Sequence, residues 1–275
     1  MAPVSVRAPA VAGRFYPAGL EDLAREVDTH LAPGVPSEGK IHGAIGCVVP
    51  HAGYMYSGHV AGAVYQLLPP RSRFIILGPN HWCRGARLSL MSAGQWLTPL
   101  GRAAVDAELA NRLLENCELL AEDANAHASE HSLEVQLPFL QRLRNAFTFV
   151  PIAIGPVDYG SLARLGHAVA QVIRDCNEPV LMIASSDMNH YEPDGITREK
   201  DQKAIEEILR IDPSGLLDVI EREDISMCGY GPAVVMLTSA SDLGAKKGRL
   251  IKYATSADMG GDRQAVVGYA GIIVS

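Results

Sequence analysis

Ala44-Ile45-Gly46-Cys47-Val48-Val49-Pro50-His51-Ala52-Gly53-Tyr54 is the stretch whose reading decides the fold. A short apolar run bounded by Pro and Gly has the length of a buried strand, and a histidine stands just past its end. The arrangement recurs. Phe74–Leu77 leads into Gly78-Pro79-Asn80-His81, and Val180–Ile183 leads into Ser185-Ser186-Asp187-Met188-Asn189-His190. A glycine-rich loop, Met227-Cys228-Gly229-Tyr230-Gly231-Pro232, precedes an apolar helical stretch. In an open α/β sheet, ligands bind in the crevice outside the carboxyl ends of the strands. Imidazole and thiolate in that crevice are ordinary ligands for zinc, copper and iron. A metal pocket is therefore the expectation.

Working outward, strand-like runs also occupy Ala86–Met91, Phe147–Ile154, Arg249–Ala254 and Ala265–Val274. Helical spacing marks Leu20–Leu31, Val60–Leu68 behind Ser57 as N-cap, Val105–Leu114, Ser161–Ile173, Arg198–Leu209 and Ala233–Leu243. Strands alternating with helices predict an α/β fold, a mostly parallel sheet with helices on both faces. The last two strands are joined by the turn-rich Asp258-Met259-Gly260-Gly261-Asp262, too short for a crossover helix, so they are expected to pair antiparallel and make the sheet mixed. In His127–Arg144 a leucine stripe contains Pro138, which predicts a kink or restart. His131 and Glu134, at i and i+3, are expected on one helix face. Ala32–Gly39 reads as a connection, and residues 1–275 as a single domain.

The chain has 275 residues, 48% hydrophobic and 20% charged, ordinary for a soluble globular protein. A net charge of −7 without a basic cluster argues against a nucleic-acid partner. Five cysteines (47, 83, 117, 176 and 228), with no C-x-x-C pair, fit a reduced cytoplasmic chain. Ala265–Val274 is far too short to span a membrane, and the N-terminus lacks a signal-peptide core. A cytoplasmic chain with no membrane partner is expected.

His51 alone reads equally well as a residue that ends a strand; the equivalent placement of His81 strengthens the functional reading. Cys228 lies just before an apolar helix, whose N-terminus stabilises thiolate. Cys47, Cys117 and Cys176 read as small buried hydrophobes. Asp187 and His190 share one loop, and a carboxylate close to an imidazole can hold its tautomer or raise its basicity, as a general base needs. His131 reads equally well as a polar wall of the pocket, oriented by Glu130 or Glu134, and as a partly exposed histidine at a helix start.

Gly13-Arg14-Phe15-Tyr16-Pro17, Pro50-His51-Ala52-Gly53-Tyr54 with Tyr56-Ser57-Gly58, Gly78-Pro79-Asn80-His81, Glu130-His131-Ser132-Leu133-Glu134, Ser185-Ser186-Asp187-Met188-Asn189-His190-Tyr191 and Cys228-Gly229 follow in order along the chain. As a set they resemble the Memo family, whose bacterial and archaeal members are often called AmmeMemoRadiSam system protein B. Memo proteins are similar in fold to class III extradiol dioxygenases, non-haem iron enzymes with an α/β core. The resemblance implies one mononuclear transition metal, iron or copper first and zinc second, held by His51, His81 and Cys228. It implies His190 as the acid/base residue, with Asp187 beside it. Tyr54 and His131 would be substrate-side walls, and an unknown small molecule or peptide would fill the pocket. AmmeMemoRadiSam system proteins would be partners.

The departure from the dioxygenase pattern is Cys228, a thiolate where those enzymes carry a carboxylate. A thiolate is softer, and bound oxygen can oxidise it. With Tyr54 and His131 as walls no hydrophobic slot is evident, so catechol cleavage is not expected. The expected function is a redox reaction using iron or copper with O2. A zinc-type metal-dependent hydrolase and a non-catalytic metal- or peptide-binding module are the alternatives.

Overall fold

The computed structural model describes residues 5–31, 39–144 and 146–275. Of the expected connection Ala32–Gly39, all but Gly39 lies outside the described residues. The described chain runs β1 (Val6–Arg7), α1 (Leu20–Leu31), β2 (Gly46–Val49), α2 (Tyr54–Tyr65), β3 (Arg73–Pro79), β4 (Leu88–Leu90), β5 (Gln95–Thr98) and β6 (Gly101–Val105). It continues through α3 (Ala107–Asn116), β7 (Ala121–Glu122), α4 (Leu137–Leu143), β8 (Thr148–Ile154), α5 (Tyr159–Arg174), β9 (Val180–Ser185) and β10 (His190–Glu192). It ends with α6 (Asp194–Arg210), α7 (Pro213–Glu223), α8 (Tyr230–Asp242), β11 (Gly248–Thr255) and β12 (Val266–Val274).

The strands form one mixed sheet in the order β1-β5-β6-β8-β3-β9-β2-β12-β10, with β11 also pairing β12. The four strands β8, β3, β9 and β2 are mutually parallel neighbours, so their carboxyl ends open onto one edge. The expected antiparallel closing pair is present, running from Gly248↔Val274 to Thr255↔Gly268.

Side chains of these buried strands alternate between two apolar layers, as the period of two requires. Val48, Ile75, Leu77, Val150, Ile152, Met182 and Ala184 pack with α3, α5, α6, α7 and α8. Cys47, Val49, Phe74, Ile76, Phe149, Leu181 and Ile183 pack with α1, α2 and α4. Both faces are covered, which is why these strands read as continuous apolar runs and not as alternating ones. No helix among the described residues is long and apolar enough to cross a membrane.

Several local expectations are corrected. Ser57 is not an N-cap: α2 begins at Tyr54 behind Gly53, and the Ser57 hydroxyl donates back to the Ala52 carbonyl at 3.0 Å. Val105 ends a strand, and Asp106 caps α3 by accepting from Leu109 N. Pro138 does mark a restart, following a 3-10 turn at Glu134–Gln136 and occupying the first turn of α4, where it lacks no bond. Consequently His131 and Glu134 do not share a helix face. The β5–β6 hairpin, β10 and α7 were not anticipated. Asp212 as N-cap, Pro213 at the first position and the spacing of Leu216, Val219 and Ile220 were the available signal for α7.

Beneath the β10 loop lies a buried acid. Asp201 of α6 accepts from Asn189 N at 2.8 Å and lies 2.7 Å from the Tyr253 hydroxyl of β11. Burial pushes its carboxyl up to about 7, against the pull of Tyr253, Asn189 and Arg198, while Glu192 adds to the rise. The folded chain thus keeps a proton to about pH 7 that the unfolded chain releases near its ordinary value of 3.8. The stability contributed by this group is complete below that lower value and is lost as pH rises through about 7. Denaturant unfolding between pH 5 and 8 should show the stability of the wild type falling, relative to that of Asp201→Asn, on the order of a few kcal/mol.

Candidate metal centre

The parallel strand ends deliver the site. His51 stands two residues past β2, His81 two past β3, and Asp187 two past β9. Cys228 arrives from the loop that opens α8. That loop lies against the end of β9, and a Cβ at Gly229 would meet the Ser185 carbonyl oxygen and the Ser186 Cβ, each at 2.4 Å. Glycine is required there for Cys228 to reach the other donors.

Donor atoms of His51, His81 and Cys228 all lie within 4.8 Å of one another, with His51 Nε2 3.2 Å from Cys228 Sγ. Hydrogen bonds fix the two rings. The Ser185 hydroxyl donates to the Ser132 carbonyl at 2.6 Å and accepts from Gln136 Nε2 at 2.8 Å. Toward His51 Nδ1, at 3.0 Å, Ser185 Oγ is therefore an acceptor, so Nδ1 carries the proton and Nε2 keeps its lone pair. His81 Nδ1 lies 2.9 Å from the Glu130 carboxylate, which again leaves Nε2 free. Outer partners of this kind set the tautomer of metal-ligating histidines.

Glu130 is fully buried, and its carboxylate also accepts from the backbone N–H of His81 and Ser132. Burial opposes its ionisation, but the His81 hydrogen bond, with the Ser132 N–H and the nearby His131, outweighs it and holds the carboxyl down to about 2. A second group of donors, His81, Glu130 and His131, also comes together. Its carboxylate is already occupied by three N–H groups, so it orients the rings.

Burial, and then the neighbouring His81, holds His51 well below its ordinary value, which keeps the imidazole neutral as a ligand must be. Burial, followed by His51, brings His131 to about 4. Burial and the Asp187 carboxylate push the Cys228 thiol up. A cation among these donors would reverse that last effect. Two imidazoles whose Nδ1 atoms are engaged elsewhere, with one thiol beside them, fit a mononuclear transition metal.

These residues line a mouth of about 610 Å³ that also includes His131, Asp187, His190, Phe15 and Tyr191. His190 Nδ1 lies 2.9 Å from the Ser226 carbonyl, and its backbone N–H donates to Ser226 Oγ. Asp187 lies close enough for the His190 charge to favour its ionisation, but Ser226 is what holds the His190 Nδ1. Asp187 Oδ1 accepts from the backbone N–H of His51 and Ala52 at 2.8 and 3.2 Å, and burial raises its pKa. Tyr54 is not a wall of this mouth. It is buried among Tyr16 and Phe139, with its hydroxyl donating to the Val135 carbonyl at 2.6 Å.

Phe15 stands where Tyr54 was expected, edge-on to His131 with centroids 4.7 Å apart. It is held by the N-terminal strap, in which Glu134 accepts from the N–H groups of Ala10 and Val11 and pairs with the buried Arg7. Ser185, Gln136, Ser226 and Phe15 were not singled out as site residues. The contacts of Arg7 and Tyr16 with Glu134 have no local signature, because they span more than a hundred residues.

With this geometry in place, comparison with known proteins is informative. The model of the Memo-like protein family matches residues 7–273. A MEMO1 family protein of Methanopyrus kandleri is 41% identical, the match covering 97% of this chain and 98% of that one. Those of Ignicoccus hospitalis, at 45% identity over 97% and 98%, and Methanosarcina mazei, at 43% over 98% and 100%, are similar along the whole length. This chain, built around convergent histidine and cysteine donors at its parallel strand ends, belongs to the Memo family.

Proposed function

We propose that the chain holds one mononuclear transition metal, iron or copper, on His51, His81 and Cys228. In this reading it uses the metal with O2 in a redox reaction on a small molecule or peptide in the wide mouth. The observation that supports it most directly is the pairing of two ring nitrogens, freed by the Ser185 and Glu130 hydrogen bonds, with the Cys228 sulfur. When bound, the metal would supply Lewis-acid and redox chemistry to substrate and oxygen.

The chain's own groups do the remainder. Glu130 and Ser185 hold the ligand rings, and Asp187 fixes the turn that carries His51. The Ser226 carbonyl accepts a hydrogen bond from the Nδ1–H of His190, leaving Nε2 to accept or give a proton at the substrate. Phe15, His131 and Tyr191 wall the mouth. A cytoplasmic location and AmmeMemoRadiSam system partners belong to the same reading, with no nucleic-acid or membrane partner.

Zinc hydrolysis is the second reading, because three protein ligands with an open side are also a catalytic zinc arrangement. Elemental analysis of protein purified without added metal, with an electron paramagnetic resonance spectrum, separates the two. Zinc with hydrolytic turnover after reconstitution would replace the redox reading. A tightly held ligand with no turnover would favour a binding module.

Cys228→Ser should lose most bound metal while its fold persists, since a hydroxyl is a poor ligand at neutral pH. Normal metal content, measured beside Cys117→Ser, would remove Cys228 from the ligand set. Glu130→Gln should weaken metal binding by about 10–100-fold. Its amide NH2 cannot accept where a carboxylate oxygen now does, so His81 loses either its ring or its backbone partner. Unchanged affinity in a competition titration would refute that role. His190→Ala should retain metal and lose any turnover found, whereas metal loss equal to that of His51→Ala would make it a ligand.

A further inference from the structure

His81 and Cys228 also form part of a second, smaller cavity, and they are the only residues its lining shares with the wide mouth. This cavity holds about 130 Å³ and lies at the carboxyl ends of β3 and β8. Its remaining walls include Ile154, Val157, Leu162 and Pro232. Apart from Asn80, His81, Cys228 and Tyr230, the side chains that face this space are aliphatic or proline. It answers the expectation that the pocket would lack a hydrophobic slot.

Two details indicate what it can hold. The polar amide on its wall, Asn80, is already engaged: Nδ2 donates to the Arg84 carbonyl at 2.7 Å, and Oδ1 accepts from Arg84 N. His81 Nδ1 is likewise taken by Glu130. These two groups are therefore not free to hold a water there, and apolar cavities of about 150 Å³ admit benzene. The space is also kept open at Gly231, where a Cβ would sit 3.1 Å from Ile154 Cγ2 and 3.5 Å from Leu162 Cδ2.

We propose that this cavity is a subsite for a small apolar group, about the size of a benzene ring. That group belongs to a ligand whose polar atoms bind at the His51, His81 and Cys228 centre. The inference deepens the proposed function by assigning its substrate class, a small molecule with a metal-binding head and a compact apolar tail. The link to the metal rests on that reading; the cavity's preference for apolar guests does not.

The test has two arms. In the first, metal-free protein is titrated with benzene while the methyl resonances of Ile154, Val157 and Leu162 are followed by NMR. Saturable shifts of those methyls are expected in wild type and should be lost in Val157→Phe, a partly buried loop position where the larger ring fills the cavity. Leu162→Ala, which enlarges the space, should restore room for indole. Absence of saturable shifts in wild type, or equal shifts in a folded Val157→Phe, would overturn the subsite. In the second arm, protein of verified metal content is titrated with imidazole and with 4-phenylimidazole. The phenyl compound should bind at least about tenfold tighter, with the gain lost in Val157→Phe. Equal affinities would overturn the link between cavity and metal. Failure to hold metal at all would sink the metal reading while leaving the benzene arm to decide the cavity.

Discussion

The buried carboxylate of Glu130 is the interaction on which the site depends. It gathers the His81 ring, the His81 backbone and the Ser132 N–H around one charge. Removing a carboxylate from water is costly unless hydrogen bonds replace the hydration, and here three N–H groups do so. The same bonds place His81, which is otherwise partly exposed at the end of β3, in a single ring orientation. A ligand on a loop becomes as well positioned as one on a strand.

Glu134, four residues on, performs the complementary task on the other side of the same segment. Its carboxylate receives Arg7, the Ala10 and Val11 N–H groups and the Tyr16 hydroxyl. Arg7 also donates to the carbonyls of His127 and Glu130 and lies over the Trp96 ring. The N-terminal strap and the Glu130 loop are thus tied through one buried ion pair. Losing one member of such a pair typically costs several kcal/mol, because the other is left buried and uncompensated. Phe15, carried by the strap, turns this distant packing into one wall of the mouth.

What the sequence made legible was whatever is local. Short apolar runs ending in Pro-His or Pro-Asn-His announced buried parallel strands with donors at their ends, and the strand periodicity needs no tertiary information. The antiparallel closure of β11 on β12 followed from a loop too short to hold a helix. Partnerships across the fold were not legible. That His190 rests on the Ser226 carbonyl, and not on Asp187, depends on a loop 36 residues away. Asp187 turns instead to two backbone N–H groups beyond β2, a contact that spacing within its own loop could not suggest. Tyr54 was misplaced for a related reason: the residue after a motif glycine begins α2 and points into the core between Tyr16 and Phe139.

The donor set and its surroundings converge on one physical requirement. His51 and His131 are held neutral by burial, while Glu130 is held ionised by its hydrogen bonds. Asp187 is buried beside Cys228, where a thiolate would face a neighbouring carboxylate. The centre therefore concentrates lone pairs and negative charge at a point where the described lining residues include no Lys or Arg. Structural clusters neutralise themselves, as Arg7 does for Glu134. This one is arranged the other way, with each ring's N–H turned outward onto an acceptor and its lone pair turned inward. A cation of modest size and soft character is the species that such an arrangement favours, and the shared positions of His81 and Cys228 set it between the wide mouth and the smaller cavity.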